Sequence, residues 1–322
     1  MGGIEPDWSR ISEDILFSIV KLLPARIDIL RLRAVCSSFR ATIPPPPIQY
    51  PFPQSILTTT DFLKGPNPNI NDVFNLTAST VYYIEPLNRI SNTQDEDTPQ
   101  TWLVEIHESN TGRFNIIDAI SVKDCKKLSE KLPKSLNLLD YRVTEIGKFY
   151  ELDSTVGFSF SKVVFSSFFD EHDDEFAVMA SYDGQSKLGM WRNMDQKWSH
   201  IDIGLLFYES FEDIIYYNDK FYAVSPKGCS VTVDPKSLIV TQVAADLWFN
   251  GRFSVLYLVG SFNDLFLVVR YQEDNDDEDK YYIGVFKLNE KKRKWVRVVD
   301  GSDLVDRVLF VGGKLVVHFL FR

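Results

Sequence analysis

Cysteine is scarce: Cys36, Cys125 and Cys229 are the only three in 322 residues. An odd number at wide spacing builds no disulfide framework, and there is no CxxC pair, so a reducing compartment is expected. Histidine is nearly as rare, with His107, His172, His200 and His318. No two of them stand at i, i+4, so no metal-ligand pair is expected. Long apolar runs are missing as well; none approaches the roughly 20 residues that a membrane-spanning helix needs. The opening MGGIEPDWSR carries acidic residues and no apolar stretch, unlike a signal peptide, and Pro6 breaks the myristoylation pattern. Positive charge is in deficit: 35 Lys and Arg against 45 Asp and Glu give a formal net charge of -10. Such a surface repels phosphate backbones and anionic lipids, which argues against nucleic acid or membrane as partners. A soluble chain of the cytoplasm, the nucleus or both is expected.

Chemical motifs are absent too. There is no P-loop and no G-x-G-x-x-G. GFSFS at 157–161 fails as a nucleophile elbow because Ser161 replaces the second Gly. The acidic loop Glu273 to Asp279 invites a calcium reading, but an EF-hand counted from Asp274 needs Gly where Asp279 stands and Glu where Val285 stands. His172 lies in DEHDDE, which reads as solvated charge. The carboxylates cluster in polar loops, where nothing shifts their pKa values. Asn75-Leu76-Thr77 matches a glycosylation sequon, but a chain without a signal peptide does not meet that machinery. Catalysis by this chain, a cofactor and a metal are therefore not expected.

What the sequence has in excess is aromatic and β-branched residues. Phe, Tyr and Trp make up 14%, with 24 Phe and 14 Tyr, which favours strands. Two stretches repeat: 174–203 and 263–300. Each reads as apolar strand, polar loop, apolar strand, charged turn, then Lys-Trp opening another strand, at Lys197-Trp198 and Lys294-Trp295. The run Lys291-Lys292-Arg293-Lys294 resembles a nuclear signal but aligns with the turn 193–196. Between the copies, FEDIIYYNDKFYAVSPKGCSVTVDPKSLIVTQVA alternates short strands with turns at Asn218-Asp219, Lys227-Gly228 and Pro235. Turns at Asp174, Asp219, Asp264 and Gly313 are 45, 45 and 49 residues apart, and an earlier one, Asn71-Asp72, lies 102 residues before Asp174. A four-stranded unit of about 40–50 residues is the size of a propeller blade. Residues 121–145 show no blade boundary. A β-sandwich is the rival architecture, and the regular spacing argues against it.

The first fifty residues differ from the rest. They carry a net charge of +1, against -11 for residues 51–322. In ISEDILFSIVKLLP, Ile15, Ile19, Leu22 and Leu23 form one helical stripe, and Leu16, Val20 and Leu23 an adjacent one. Ser12 can cap this helix, Glu13 and Asp14 suit its first turn, and Pro24 ends it. Ile27 to Cys36 reads as a second helix and Ser37 to Arg40 as a short third. Apolar stripes this wide on so small a unit call for a partner or for packing on the larger domain. Pro44 to Pro47, Pro51 and Pro53 then favour an extended spacer.

The run DWSRISEDILFSIVKLLPARIDILRLRAVCSSFRATI resembles the plant F-box. The resemblance rests on Trp8, Ser9, Asp14, Ile15, Leu16, Leu30, Arg31, Arg33, Val35, Cys36 and Arg40. Ser12 stands where the family has Pro, and Phe39 where it has Trp. Residues from about 52 to 320 resemble the F-box-associated propeller of the plant KIB-type family. That likeness is carried by Lys134 to Asp140, Lys162-Val163-Val164, Lys197-Trp198, Phe211 to Val224 and the VTVDP hairpin. Together the resemblances imply a mainly β chain: a small three-helix F-box (1–43), a proline-rich linker (44–53) and a C-terminal β-propeller of about six four-stranded blades (54–322). They imply a substrate receptor of an SCF-type cullin-RING ubiquitin ligase. Ile11, Asp14, Ile15, Leu16, Ile19, Leu23, Leu32, Val35 and Cys36 would dock on a Skp-type adaptor, and the propeller would bind a target protein. A non-degradative F-box scaffold, and a propeller lectin or enzyme, are the alternatives.

Overall fold

The computed structural model describes residues 11–23, 26–45, 55–57, 73–87, 101–108, 114–118, 140–154, 160–166, 176–182, 187–204, 210–247, 252–261, 264–272 and 281–299. Trp8, Ser9, Pro24, Pro46 to Pro53, His172, the stretch 121–139, the acidic loop 273–279 and the Gly313 turn lie outside the described residues.

Three helices come first: α1 (Glu13–Leu22), α2 (Arg26–Ala34) and α3 (Ser37–Thr42). Glu13 and Asp14 place negative charge at the positive end of α1. Ser12 occupies the N-cap, but its hydroxyl makes no capping bond; its carbonyl accepts from Leu16 N at 3.1 Å. The second helix stops at Ala34, two residues before the expected end. Cys36 leaves the helix because it caps the next one, its Sγ accepting from Phe39 N at 3.4 Å. Leu16, Phe39 and Ile43 form a small closed core, with Ile11, Val20, Ile29, Leu32 and Cys36 packed around it.

The other described elements are mostly strands of antiparallel sheets. β1 (Ser55–Leu57), β2 (Val73–Pro86), β3 (Trp102–Glu108) and β4 (Phe114–Asp118) pair in chain order, and β5 (Tyr141–Ser154) joins them on β2. A second sheet holds β6 (Phe160–Phe165), β7 (Ala177–Tyr182), β8 (Lys187–Arg192) and β9 (Lys197–His200). A third holds β10 (Asp213–Tyr217), β11 (Lys220–Val224), β12 (Ser230–Val233) and β13 (Val240–Ala244). The fourth holds β14 (Arg252–Ser261), β15 (Asp264–Gln272), β16 (Tyr282–Asn289) and β17 (Lys294–Arg297). Each of these last three runs in strict chain order, as propeller blades do. The described residues thus account for three of the blades expected from the 45-residue spacing, beside the five-stranded first sheet.

The repeat is visible atom by atom. Trp198 and Trp295 are both the second residue of a fourth strand, opposite Trp191 and Leu288. Before each, the four-residue turns 193–196 and 290–293 end on a left-handed residue, Gln196 at φ 51° and Arg293 at φ 49°. The third sheet repeats the device with Leu238 at φ 60°. There Asp234 organises the turn: its Oδ1 accepts from Lys236 N at 3.0 Å and Ser237 N at 2.7 Å. The basic run 291–294 is accordingly a tight turn and the start of β17.

The first strands gather together, β10 lying beside both β6 and β14. Apolar cores fill the spaces between neighbouring sheets. Met179, Met190, Ile214, Phe221 and Val231 join the second sheet to the third, and Val224, Ala244, Leu258, Leu267 and Trp295 join the third to the fourth. The chain divides into two compact units, 1–50 with 79–148 and 51–78 with 149–322, and the division passes through β2 and β5. Among the described residues no helix is long and apolar enough to cross a membrane.

Candidate functional site

The helical unit offers one uncovered apolar face. Neighbouring residues of α1 differ sharply in exposure: Leu16 is 1% exposed, whereas Ile15 is 54% exposed. Leu22, two turns along Ile15's stripe, is 81% exposed, and Phe17 is exposed as well. Ile19 and Leu23 are half-buried and Asp14 is exposed. Val35, in the bend after α2, is 60% exposed. The two stripes read from the sequence therefore have separate duties. Leu16 and Val20 build the unit's own core, while Ile15, Ile19 and Leu22 face outward at i, i+4 and i+7.

The structure divides the expected adaptor set between core and surface. Leu16 is enclosed by Phe39 and Ile43 and has no surface left for a partner. Ile11, Leu32 and Cys36 are half-buried against the same core, and the Cys36 thiol is occupied in capping α3. Asp14, Ile15, Ile19, Leu23 and Val35 keep exposed or partly exposed surface. Leu22 and Phe17, outside that set, are exposed too, and Leu22 lies at i+7 from Ile15 on the stripe read from the sequence. Arg33 braces the unit from behind by donating from Nη1 to the carbonyl of Ile43.

A second cluster sits where the first strands of the later sheets meet. Asp213, on β10, is buried. Its Oδ1 accepts from Ile214 N at 2.9 Å and from Nζ of Lys162 on β6. Its Oδ2 accepts from Leu258 N on β14 at 2.7 Å. Burial first, then the neighbouring Asp213 charge, pushes the Glu212 carboxyl above its ordinary value. The arrangement can hold charge in place between three strands.

Further out, tyrosines and a tryptophan link the third sheet to the fourth. Tyr222 donates to Glu290 Oε1 at 2.9 Å. Trp295 donates its indole N–H to Gly228 O at 2.9 Å and lies 3.1 Å from Ser230 Oγ. Gly228 has φ 83°, and a Cβ there would stand 2.7 Å from that of Leu247. Two histidines are paired within single sheets. His107 Nε2 lies 2.7 Å from Glu105 Oε1, and His200 Nδ1 lies 3.0 Å from the Tyr182 hydroxyl. Among the described residues no three His, Cys, Asp or Glu side chains converge as metal ligands would.

Comparison with known proteins bears on both parts. The model of the KIB1-4 β-propeller family matches residues 73–319. F-box protein SKIP23 of Arabidopsis thaliana is 24% identical over 95% of this chain and 78% of its own length. An F-box/kelch-repeat protein of the same plant is 25% identical over the same shares. A further Arabidopsis F-box protein is 24% identical over 95% of this chain and 77% of its own.

Proposed function

Since this chain belongs to the KIB1-4 β-propeller family, with three helices of F-box pattern ahead of the propeller, we propose that it is the substrate receptor of an SCF-type cullin-RING ubiquitin ligase. The observation that carries the reading is the double use of α1. One apolar stripe closes the unit's own core through Leu16, and the other, Ile15, Ile19 and Leu22, is left facing outward. A helix needs one apolar stripe to fold against its neighbours; a second invites another surface. A Skp-type adaptor covers that surface. The propeller presents a target protein, and the other subunits of the ligase transfer ubiquitin, in the cytoplasm, the nucleus or both.

The experiment is paired affinity purification from plant cells, using the full-length chain and its Ile15→Lys/Leu22→Lys variant. The wild type recovers a Skp-type adaptor and a cullin. The variant loses both and enriches a shared target, whose half-life lengthens in cells lacking the receptor. Recovery of adaptor and cullin by the variant, or a target whose half-life ignores loss of the receptor, contradicts the proposal.

A further inference from the structure

The second helix does more than complete the adaptor hook. Ile27, in the first turn of α2, packs on a cluster formed by Ile84 of β2, Val104 of β3 and Val143 of β5. One turn later Arg31 reaches the same strand, its Nη2 donating to the carbonyl of Val143. Its other nitrogen, Nη1, donates to Asp28 Oδ1 at 2.9 Å, which steadies the guanidinium on the helix surface.

The choice of carbonyl is informative. Leu87 N donates to Asp140 O at 2.9 Å, so residue 140 directs its backbone groups towards β2. Backbone groups alternate sides along a strand, so those of Val143 point to the other edge. Among the described residues β5 pairs with β2 alone. Arg31 therefore caps a carbonyl on the side of β5 turned away from β2. Leu30, Arg31 and Arg33 belong to the F-box pattern, yet both arginines bond carbonyls of this chain.

We infer that Ile27 and Arg31 form a fixed joint between the helical hook and the first sheet. The direction in which the hook leaves that sheet is set by this joint and not by the proline run alone. Arg31 is a positioning residue here, not an adaptor contact. The meaning of the joint for presenting a target rests on the receptor reading above; the joint itself does not.

Hydrogen–deuterium exchange of the full-length chain, with the affinity for a purified Skp-type adaptor measured in parallel, tests the joint. In Ile27→Ala/Arg31→Gln, backbone exchange over 141–146 accelerates by roughly tenfold, because local opening becomes cheaper. Adaptor affinity stays within about threefold of wild type, since a tenfold loss needs a contact worth about 1.4 kcal/mol. The single variant Arg31→Gln changes a half-exposed side chain, keeps the fold and shows the same effect in smaller measure; Arg31→Lys restores part of the protection. Unchanged exchange over 141–146 in the double variant overturns the joint. So does a loss of adaptor affinity in Arg31→Gln without any change in exchange, which assigns Arg31 to the adaptor. If the wild-type chain binds no Skp-type adaptor, the receptor reading falls while the exchange data still decide the joint.

Discussion

Asp213 and Leu258 lie 45 residues apart, on the first strands of consecutive sheets, and the carboxylate of one accepts the backbone N–H of the other at 2.7 Å. With Lys162 on its other oxygen, one buried side chain joins three sheets. Removing it leaves a lysine and two backbone donors without their acceptor. Asp213→Ala is expected to cost about 3–5 kcal/mol, the usual toll of breaking a buried charge pair. Asp213→Asn keeps an acceptor and costs less. Denaturant unfolding gives both values, and a loss of under about 1 kcal/mol in the alanine variant contradicts this role.

Trp295 is the corresponding clasp at the outer rim between the third and fourth sheets. Phenylalanine there keeps most of the buried ring but removes the indole donor, leaving Gly228 O the Ser230 hydroxyl alone. The cost is expected at about 0.5–1.5 kcal/mol, that of one lost hydrogen bond. Alanine also opens a cavity and is expected to cost about 3–5 kcal/mol. Gly228→Ala should destabilise as well, because its left-handed backbone and the nearby Leu247 side chain leave no place for a methyl group. Equal stabilities for the Phe and Ala variants would show that packing at Trp295 contributes nothing.

Alkaline pH should loosen the same boundary. Burial, then the carboxylates of Asp264 and Glu290, push the Tyr217 hydroxyl from 10.0 up to about 12. Burial and Glu290 push Tyr222 upward too. A raised tyrosine pKa means that the folded chain keeps a proton that the unfolded chain releases. Its contribution is complete below pH 10 and is lost as pH rises towards 12. The urea midpoint is expected to fall between pH 10 and 11.5, and Tyr217→Phe should flatten the fall. A Tyr217→Phe chain that loses stability as steeply as wild type excludes Tyr217 as the cause.

Much of the propeller was legible because its turns are local chemistry. The Asn218-Asp219 turn joins β10 to β11, and Asp264 opens β15, as the 45-residue spacing implies. Lys-Trp recurs because a left-handed residue must end the turn and an aromatic must follow to fill the groove. The first sheet was less legible. Its β2 and β5 are 14 residues long, and β5 pairs with β2 across two intervening strands, which no local pattern announces. Asp213 read as the start of an ordinary strand, because its partners come from distant sheets. The hook was half legible. Both stripes of α1 were visible, but which one turns inward depends on where α3 brings Phe39 and Ile43, a non-local fact.

That distinction separates two kinds of lesion in the hook. Leu16→Lys places a charge in a closed apolar core and should unfold the helical unit, with helical circular dichroism lost alongside adaptor binding. Ile15→Lys/Leu22→Lys alters only outward positions and should leave the helical signal and the melting temperature near wild type.

Calorimetric titration of a purified Skp-type adaptor into the full-length chain and into Ile15→Lys/Leu22→Lys is the most direct test of the receptor reading. Two apolar side chains that leave water at the interface contribute about 2–4 kcal/mol together, given that both are already partly covered or only partly engaged. The variant should therefore bind at least about thirtyfold more weakly than wild type. A folded variant that binds the adaptor with wild-type affinity would show that the outward stripe of α1 is not the docking surface.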